Sequence, residues 1–188
     1  MIVLGLDVST NTVGYCFMKH ESKDYGYIMD PIGIGFISLG KYKKDWYKKA
    51  DITIAELIKQ FEKLGMPDVI QIENNLLGFQ SGRTSMNVIT TLARFNGIVS
   101  WGVYRATKIK PVHLHPSSAR KKAWGTTFHY LKGINKKIGV LGEVLNKWPT
   151  LEEQLPRRPK TGDYKNEVYD IADAITMAAV IPERDTDD

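Results

Sequence analysis

Four carboxylates in this sequence have the types and the spacing of ligands for divalent cations. Asp7 ends the apolar run at residues 2–6 and Glu73 ends the apolar run at residues 69–72, so each acid is predicted to close a buried strand. Asp170 and Asp173 lie three residues apart in "NEVYDIADAITMAAV", a spacing that places both on one face of a helix. Carboxylate oxygens are preferred ligands of Mg²⁺, and two such ions can activate a water and stabilise a leaving oxygen at a phosphate. The sequence therefore predicts a phosphoryl-transfer site in which these four acids hold two Mg²⁺ ions.

A solvated surface acid is the alternative explanation for each carboxylate taken singly. No lysine or arginine stands beside Asp7 to balance its charge, and two acids three residues apart on a helix repel each other. A bound cation would relieve both problems. The occurrence of all four acids at the predicted ends and faces of suitable elements favours one shared metal site.

The elements predicted to position these acids are strands that alternate with helices. A polar run at residues 9–12 is predicted to be a hairpin turn between the first two strands. Strands are predicted at residues 2–8, 13–18, 33–39, 69–72 and 109–114, and helices at 46–64, 85–105, 136–148 and 167–180, with a short serine-capped helix from residue 116. This order, a meander followed by βαβ units, predicts an α/β fold with a mixed five-stranded sheet flanked by helices. We expect one domain over residues 1–181 and an acidic tail over residues 182–188.

Charge is distributed unevenly along the chain. The net charge is +5 overall and −3 over residues 182–188, so residues 1–181 carry +8. Residues 74–142 contain eleven lysines and arginines and no acid. An ordinary solvated surface is one explanation, but so long a run without an acid favours a face that binds a polyanion.

Cysteine content and hydropathy bear on the location of the protein. Cys16 is the single cysteine, so it cannot form an internal disulfide, and its apolar surroundings in the sequence predict a core residue. No apolar run has the length of a membrane span, and the N-terminus lacks the pattern of a signal peptide. We therefore expect a cytoplasmic protein with no membrane contact.

Two groups of cations are candidates for contacts with nucleic acid. The first group follows the predicted start of the short helix, where it could hold phosphate or form a solvated face. The second group flanks two aromatic residues, a mixture that suits backbone contacts with base stacking and equally suits core packing of the aromatics. The first group is Arg120, Lys121 and Lys122, and the second is Lys132, Lys136 and Lys137, with Phe128 and Tyr130.

The loop that follows Glu73 is a third candidate. Phe79 and Arg83 lie among glycine and serine residues in "LLGFQSGRTS". An aromatic on such a loop beside a metal site could probe nucleic acid, and hydrophobic anchoring of the loop is the other explanation.

The motifs that carry the four acids point to a family. The chain resembles the RNase H-like nuclease superfamily and, within it, the RuvC-like Holliday junction resolvases, especially divergent phage versions. The resemblance rests on "GLDVSTNTVGY" with Asp7, on "IENN" with Glu73, and on "YDIADAITMA" with Asp170 and Asp173. The Asp-x-x-Asp-Ala pattern on a closing helix is typical of RuvC-like proteins, and the predicted order of elements matches their fold over nearly the whole chain.

The resemblance implies an RNase H-like fold and an endonuclease. It implies a homodimer that binds four-way junctions and cuts two strands with Mg²⁺, for which Mn²⁺ can substitute. It also implies Asp7, Glu73 and Asp173 as core metal ligands and Asp170 as the fourth, and it is consistent with a phage-encoded protein in a host cytoplasm. The bacterial resolvases carry an aromatic wedge soon after the glutamate, and Leu76 or Phe79 would take that place here.

Three other function classes share parts of this pattern. Sugar kinases and actin-like ATPases begin with a similar strand but need a second domain and a second phosphate loop, for which 188 residues leave no room. An RNase H proper is an alternative, although the Asp-x-x-Asp helix favours a resolvase. A non-catalytic nucleic-acid-binding module of the same fold is another, and the presence of all four acids argues against it.

Overall fold

The centre of the fold is a sheet of five strands in the order β3-β2-β1-β4-β5. The computed structural model describes residues 1–24, 26–74, 86–125 and 135–182. The strands are β1 (Ile2–Val8), β2 (Thr12–Lys23), β3 (Gly26–Ser38), β4 (Val69–Glu73) and β5 (Val112–Leu114). The β1, β2 and β3 strands pair antiparallel, whereas β4 is parallel to both β1 and β5. The predicted mixed five-stranded sheet is therefore confirmed.

Helices cover both faces of this sheet. They are α1 (Trp46–Leu64), α2 (Met86–Thr107), α3 (Pro116–Trp124), α4 (Lys136–Lys147) and α5 (Glu167–Ala178), and two 3-10 helices lie at Gly40–Tyr42 and Pro149–Gln154. Apolar side chains of α1 and α2 pack with one face of the sheet, and those of α4 and α5 pack with the other. None of the helices in the described ranges combines the length and the apolar character that crossing a membrane requires.

The alternation of side chains along β1 and β4 sends both strand-end acids to the face that α5 covers. Leu4 and Leu6 belong to the core beneath α1 and α2, so Gly5 and Asp7 face the opposite side. In β4, the Gln71 side-chain amide lies against the backbone carbonyls of Met177 and Val180 at the end of α5, and Glu73 lies two residues further on the same face. Because β1 and β4 are adjacent and parallel, Asp7 and Glu73 lie side by side at the same end of these two strands.

Two glycines allow α5 to lie directly on the sheet. A Cβ atom at Gly5 would overlap the backbone carbonyl of Ala174, and one at Gly14 would overlap that of Asp170. Gly14 is the pairing partner of Asp7 in the β1–β2 ladder. The missing side chains therefore bring the backbone of the acidic helix against the strand that carries Asp7 and against its neighbour.

The β2–β3 ribbon is longer than the sequence predicts. The prediction ended the second strand at residue 18 and began the third at residue 33, whereas β2 runs to Lys23 and β3 begins at Gly26. The ribbon continues through Pro31, close to a register shift between Phe17 and Met18. A proline is tolerated there because β3 is an edge strand and the ladder is already irregular.

Several helix and strand ends also differ from the prediction. The α3 helix begins with Pro116 at its first position after His115, and neither following serine caps it, so the predicted serine cap is wrong. The β5 strand is only three residues long, shorter than the predicted span at residues 109–114. The α5 helix ends at Ala178 rather than at residue 180. The 3-10 helix Pro149–Gln154 lies partly in a segment that was predicted to be loop.

Candidate metal centre

Three carboxylates meet where β1, β4 and α5 converge. Asp7, Glu73 and Asp173 each place a carboxylate oxygen within 4.8 Å of the other two. All three side chains are buried, with exposed fractions of 8%, 7% and 6% respectively. Asp7 and Glu73 are held by the ends of adjacent strands and Asp173 by the helix above them, so the cluster is fixed by three elements of the core.

Backbone contacts hold the two strand ends in place. After Asp7, the chain turns through Ser9, whose backbone N–H and hydroxyl both donate to the Thr12 carbonyl, at 2.9 and 2.8 Å. Buried Lys49 of α1 donates from Nζ to the Thr10 carbonyl in the same turn. At the other strand, buried Asn96 of α2 donates from Nδ2 to the Glu73 carbonyl at 3.0 Å.

Sequence reasoning missed Lys49 and Asn96 as supports of the site. Asn96 has a recognisable signal, because it adjoins Phe95 on the apolar side of α2 and a buried amide requires partners. Lys49 has none, because one lysine in the "YKKAD" segment cannot be distinguished by composition from its exposed neighbour.

Asp170 lies beside this cluster rather than within it. Its side chain is half-buried one helical turn before Asp173, and it accepts a hydrogen bond from the Thr12 side chain. The structure thus brings three of the four predicted ligands together and leaves the fourth at the margin of the group.

Asp7, Glu73 and Asp170 have raised pKa values, so they retain protons more readily than ordinary carboxylates. Burial raises the pKa of Asp7 well above its usual value, and the charges of Glu73 and Asp173 raise it further. Burial and the Asp173 charge raise the pKa of Glu73 to about 7, against the opposing effects of Arg120 and Lys137. Burial also raises the pKa of Asp170 to about 6, although Lys137 opposes the rise. Ionising all of these groups together is therefore costly without a further positive charge.

The donor set fits a hard divalent cation. Glu73 Oε2 is buried and has no hydrogen-bond partner among the described residues. A buried, unpartnered carboxylate oxygen in a group of three carboxylates is an arrangement that a bound cation satisfies. Asp7, Glu73 and Asp173 could therefore hold a metal ion, with oxygen ligands of the kind that Mg²⁺ and Mn²⁺ prefer.

Arg120 is the one cation that forms an ion pair with these acids among the described residues. Its Nη2 lies 3.0 Å from Asp173 Oδ1, while its Nε is buried without a hydrogen-bond partner in the described part of the chain. The prediction placed Arg120, Lys121 and Lys122 at the start of a helix, but they lie in the second half of α3, and Lys121 and Lys122 belong to its last turn. The predicted position of these residues at the helix start is therefore wrong, while their contact with nucleic acid stays a prediction.

The three basic residues of α3 also face different directions, because consecutive helical residues do not share a face. Lys122 lines a cavity along β4 and β5 with Val69 and Leu114, and no ion pair between it and the acidic group is seen in the described residues. Lys121 is exposed. Only Arg120 of this group is part of the acidic site.

The second predicted group lies partly beside the site. Lys136 and Lys137 are exposed in the first turn of α4, which Asn135 caps by accepting from the Lys137 N–H at 3.1 Å. Lys137 Nζ lies 5.9 Å from the centre of the Tyr169 ring, next to Asp170 on α5. The remaining predicted residues lie outside the described part of the chain. They are Lys132, Phe128 and Tyr130 of the second group, Phe79 and Arg83 of the loop after Glu73, and the predicted wedge position, Leu76 or Phe79.

Comparisons with known proteins give matches in structure only. No known family matches the sequence, and no curated protein matches it. Thermus thermophilus RuvC matches with a TM-score of 0.61 and 14% identity, covering 96% of this chain and 92% of that chain. The same protein in complex with a Holliday junction substrate matches with a TM-score of 0.63, 11% identity and the same coverage. Ydc2, the yeast mitochondrial Holliday junction resolvase, matches with a TM-score of 0.55 and 14% identity, covering 94% of this chain and 75% of that chain.

These matches extend over 94–96% of this chain. The RNase H-like, RuvC-like architecture expected from the sequence motifs is thereby confirmed at the level of the fold. This chain has the fold of the RuvC-like resolvases.

Proposed function

We propose that this protein is a metal-dependent endonuclease that resolves Holliday junctions or other branched DNA by hydrolysing phosphodiester bonds. The observation that carries the proposal is the convergence of the buried carboxylates Asp7, Glu73 and Asp173 within 4.8 Å, in a chain with the RuvC-like fold. Branched DNA as the substrate class is supported by the solved complex of Thermus thermophilus RuvC with a Holliday junction substrate.

The acids and the nearest cations have separate roles in this proposal. Asp7, Glu73 and Asp173 would hold one divalent cation, and Asp170 would contribute to a second. When bound, the ions would supply an activated water and stabilise the leaving oxygen. The Arg120 guanidinium has unused donor capacity and would bind a non-bridging oxygen of the scissile phosphate. Lys137 would lower the electrostatic cost of bringing a phosphate towards the carboxylates.

A homodimer is part of the proposal, because two coordinated cuts in a junction with two-fold symmetry need two related sites. The outer face of α2 is the candidate interface. Trp101 is 61% exposed, and together with Trp46, Ile54 and Ile98 it lines a groove between α1 and α2 of about 640 Å³. Burial of this face under residues 124–166 of the same chain is the alternative explanation, but the described part of that segment after residue 134 packs around α5, across the sheet from α2. Sedimentation of the protein alone and with a junction tests this, and a monomer in both cases would contradict the dimer.

The activity itself is tested with Asp7→Asn on three substrates: a four-way junction, a flap and an RNA–DNA hybrid, each with Mg²⁺. We expect the unsubstituted protein to cut the four-way junction and the variant to lose cleavage while still binding the junction in EDTA, because the change removes a ligand and a negative charge. Asp24→Asn, at an exposed position, is the matched control and should cut normally.

The same assay separates the alternatives. Preferred cleavage of the RNA–DNA hybrid would indicate an RNase H-type enzyme. Junction binding without cleavage under any metal would indicate a non-catalytic module, and a normal cleavage rate of the Asp7→Asn variant would contradict the assignment of the site.

A further inference from the structure

Cationic side chains from three different segments lie along one face of α5 and the residue that precedes it. Asn166, the residue before the helix, lies 3.4 Å from Arg158 Nη2, measured from its Oδ1. One turn later Lys137 approaches Tyr169 and Asp170, and a further turn on Arg120 contacts Asp173. Positions 166, 169–170 and 173 share a helix face because they are spaced by three and four residues. The cations therefore form a row that starts at the metal centre and runs towards the N-terminus of α5.

The segment that carries Arg158 is a braced hairpin over residues 156–165. The Arg158 N–H donates to the Asp163 carbonyl at 2.7 Å, and the Lys165 N–H donates to the Pro156 carbonyl at 3.0 Å. Gly162 closes the turn with a φ of +74°, a conformation that glycine adopts without strain. The hairpin thus has a defined backbone beside the first turn of α5.

Arg157 and Arg158 have different partners although they are adjacent. Arg157 lies 2.7 Å from Glu152 Oε1, donates to the Gly162 carbonyl at 3.0 Å and stacks 4.3 Å from the centre of the Tyr164 ring. Its charge and donors are therefore used within the hairpin and by the adjacent 3-10 helix. Arg158 and Lys160 are exposed and form no ion pair with a carboxylate among the described residues. Their charges are available to an anion from outside.

We propose that the 156–165 hairpin is a phosphate-binding arm, in which Arg158 and Lys160 hold the DNA backbone on one side of the scissile phosphate. The inference rests on the proposed function, since it requires DNA at the metal centre. The row from Asp173 to Asn166 covers seven residues of helix, which is about 10 Å at a rise of about 1.5 Å per residue. At about 3.4 Å per nucleotide along one strand, that length corresponds to about three nucleotides. Arg158 therefore lies where a strand with its cleaved phosphate at Arg120 would place a backbone phosphate about three nucleotides away.

The first experiment measures the salt dependence of binding. Arg158→Gln/Lys160→Gln and the unsubstituted protein are titrated into a four-way junction in EDTA at several salt concentrations, with fluorescence anisotropy as the readout. Each lost phosphate contact should reduce the slope of log K against log [salt] by about 0.9, so the double variant should lose up to about 1.8. The control is Lys59→Gln/Lys63→Gln on α1, which removes the same charge from the opposite face of the sheet and should keep the slope.

The second experiment locates the contact along the strand. Single methylphosphonates, which neutralise one phosphate each, are placed at the positions within four nucleotides of the cleaved bond. If Arg158 contacts one of these phosphates, neutralising it should weaken binding by the unsubstituted protein and have no further effect on Arg158→Gln. Arg158→Lys, which keeps the charge, should restore the sensitivity.

The outcomes distinguish this inference from the proposed function. If the unsubstituted protein binds and cuts the junction but both variant pairs have the same salt slope, or if methylphosphonate effects add independently at every position, the arm is wrong and the nuclease stands. If the unsubstituted protein binds no branched DNA, both proposals are wrong. Lys160→Gln alone is the control for misfolding. It should fold normally, because Lys160 is exposed and forms no ion pair or hydrogen bond within the described ranges.

Discussion

Replacing Glu73 by Gln should stabilise the metal-free protein at alkaline pH while removing its capacity to bind metal. Glu73 is 7% exposed, and its Oε2 has no hydrogen-bond partner among the described residues. Burial and the neighbouring Asp173 raise its pKa from 4.5 to about 7. Ionised Glu73 is thus a buried charge that destabilises the metal-free folded state. The amide of Gln has nearly the same shape without the charge.

The sign and the size of the effect follow from proton linkage. A carboxyl whose pKa is raised on folding binds more protons in the folded state, so it contributes stability below pH 4.5 that is lost as the pH rises through 7. Each unit of pKa difference between the folded and unfolded states corresponds to about 1.4 kcal/mol. The loss of stability from this group is therefore about 1 kcal/mol at pH 5 and about 3 kcal/mol at pH 8. Glu73→Gln avoids that loss, and its advantage over the unsubstituted protein should grow accordingly.

Urea denaturation in EDTA at pH 5 and pH 8 measures this difference. At pH 8, about 3 kcal/mol corresponds to a rise in melting temperature of about 6–12 °C for a protein of this size. Saturating Mg²⁺ should reverse the order, because it stabilises only the protein that binds it. Glu62→Gln, at an exposed position, is the control and should show no advantage at either pH. Equal stability of Glu73→Gln and the unsubstituted protein at pH 8 would refute the electrostatic argument.

Three further predictions concern the surroundings of the site. Mn²⁺ affinity, measured by calorimetry, should rise between pH 5.5 and 8 with release of protons, because the pKa values of Glu73 and Asp170 are raised to about 7 and about 6, and a pH-independent affinity would contradict this. Gly14→Ala should destabilise the protein by about 1–3 kcal/mol and weaken Mn²⁺ binding, because its Cβ would displace the Asp170 backbone, whereas Gly142→Ala in the open face of α4 should not. Lys49→Ala should cost about 2–3 kcal/mol in urea denaturation because it removes a buried stem and the donor to Thr10, and a cost as small as that of exposed Lys59→Ala would contradict the anchoring role.

Local patterns in the sequence predict most of the fold that positions the site. The strand-end acids Asp7 and Glu73 could be placed because each follows a short apolar run, and α1 was predicted with its observed ends because its apolar spacing stops at a glycine. Asp170 and Asp173 could be placed on one helix face because they lie three residues apart. What these patterns share is that a few neighbouring residues determine them.

The parts that could not be predicted depend on contacts between distant segments. The extension of β2 and β3 past Pro31 depends on pairing across the ribbon, which overrides the local tendency of Asp-Pro to end a strand. The separation of Arg120 from Lys121 and Lys122 depends on which face of α3 meets α5, which adjacent basic residues do not reveal. That Asp170 lies outside the group of three depends on the depth at which α5 lies on the sheet, and Gly5 and Gly14 set that depth.

The central position of β1 has a consequence for the order in which parts of the molecule open. This strand is paired along β2 on one side and β4 on the other, whereas the 156–165 hairpin belongs to no sheet and is held by the isolated bridge between Arg157 and Tyr164 and by local hydrogen bonds. Backbone amides in β1 should therefore exchange with deuterium only through global unfolding, while those of the hairpin should exchange through small local openings. As conditions become denaturing, the peripheral cations should lose their fixed arrangement well before the carboxylates separate. In such a range, the carboxylate group would still be assembled for the proposed metal, whereas the proposed contacts with a DNA backbone would be lost.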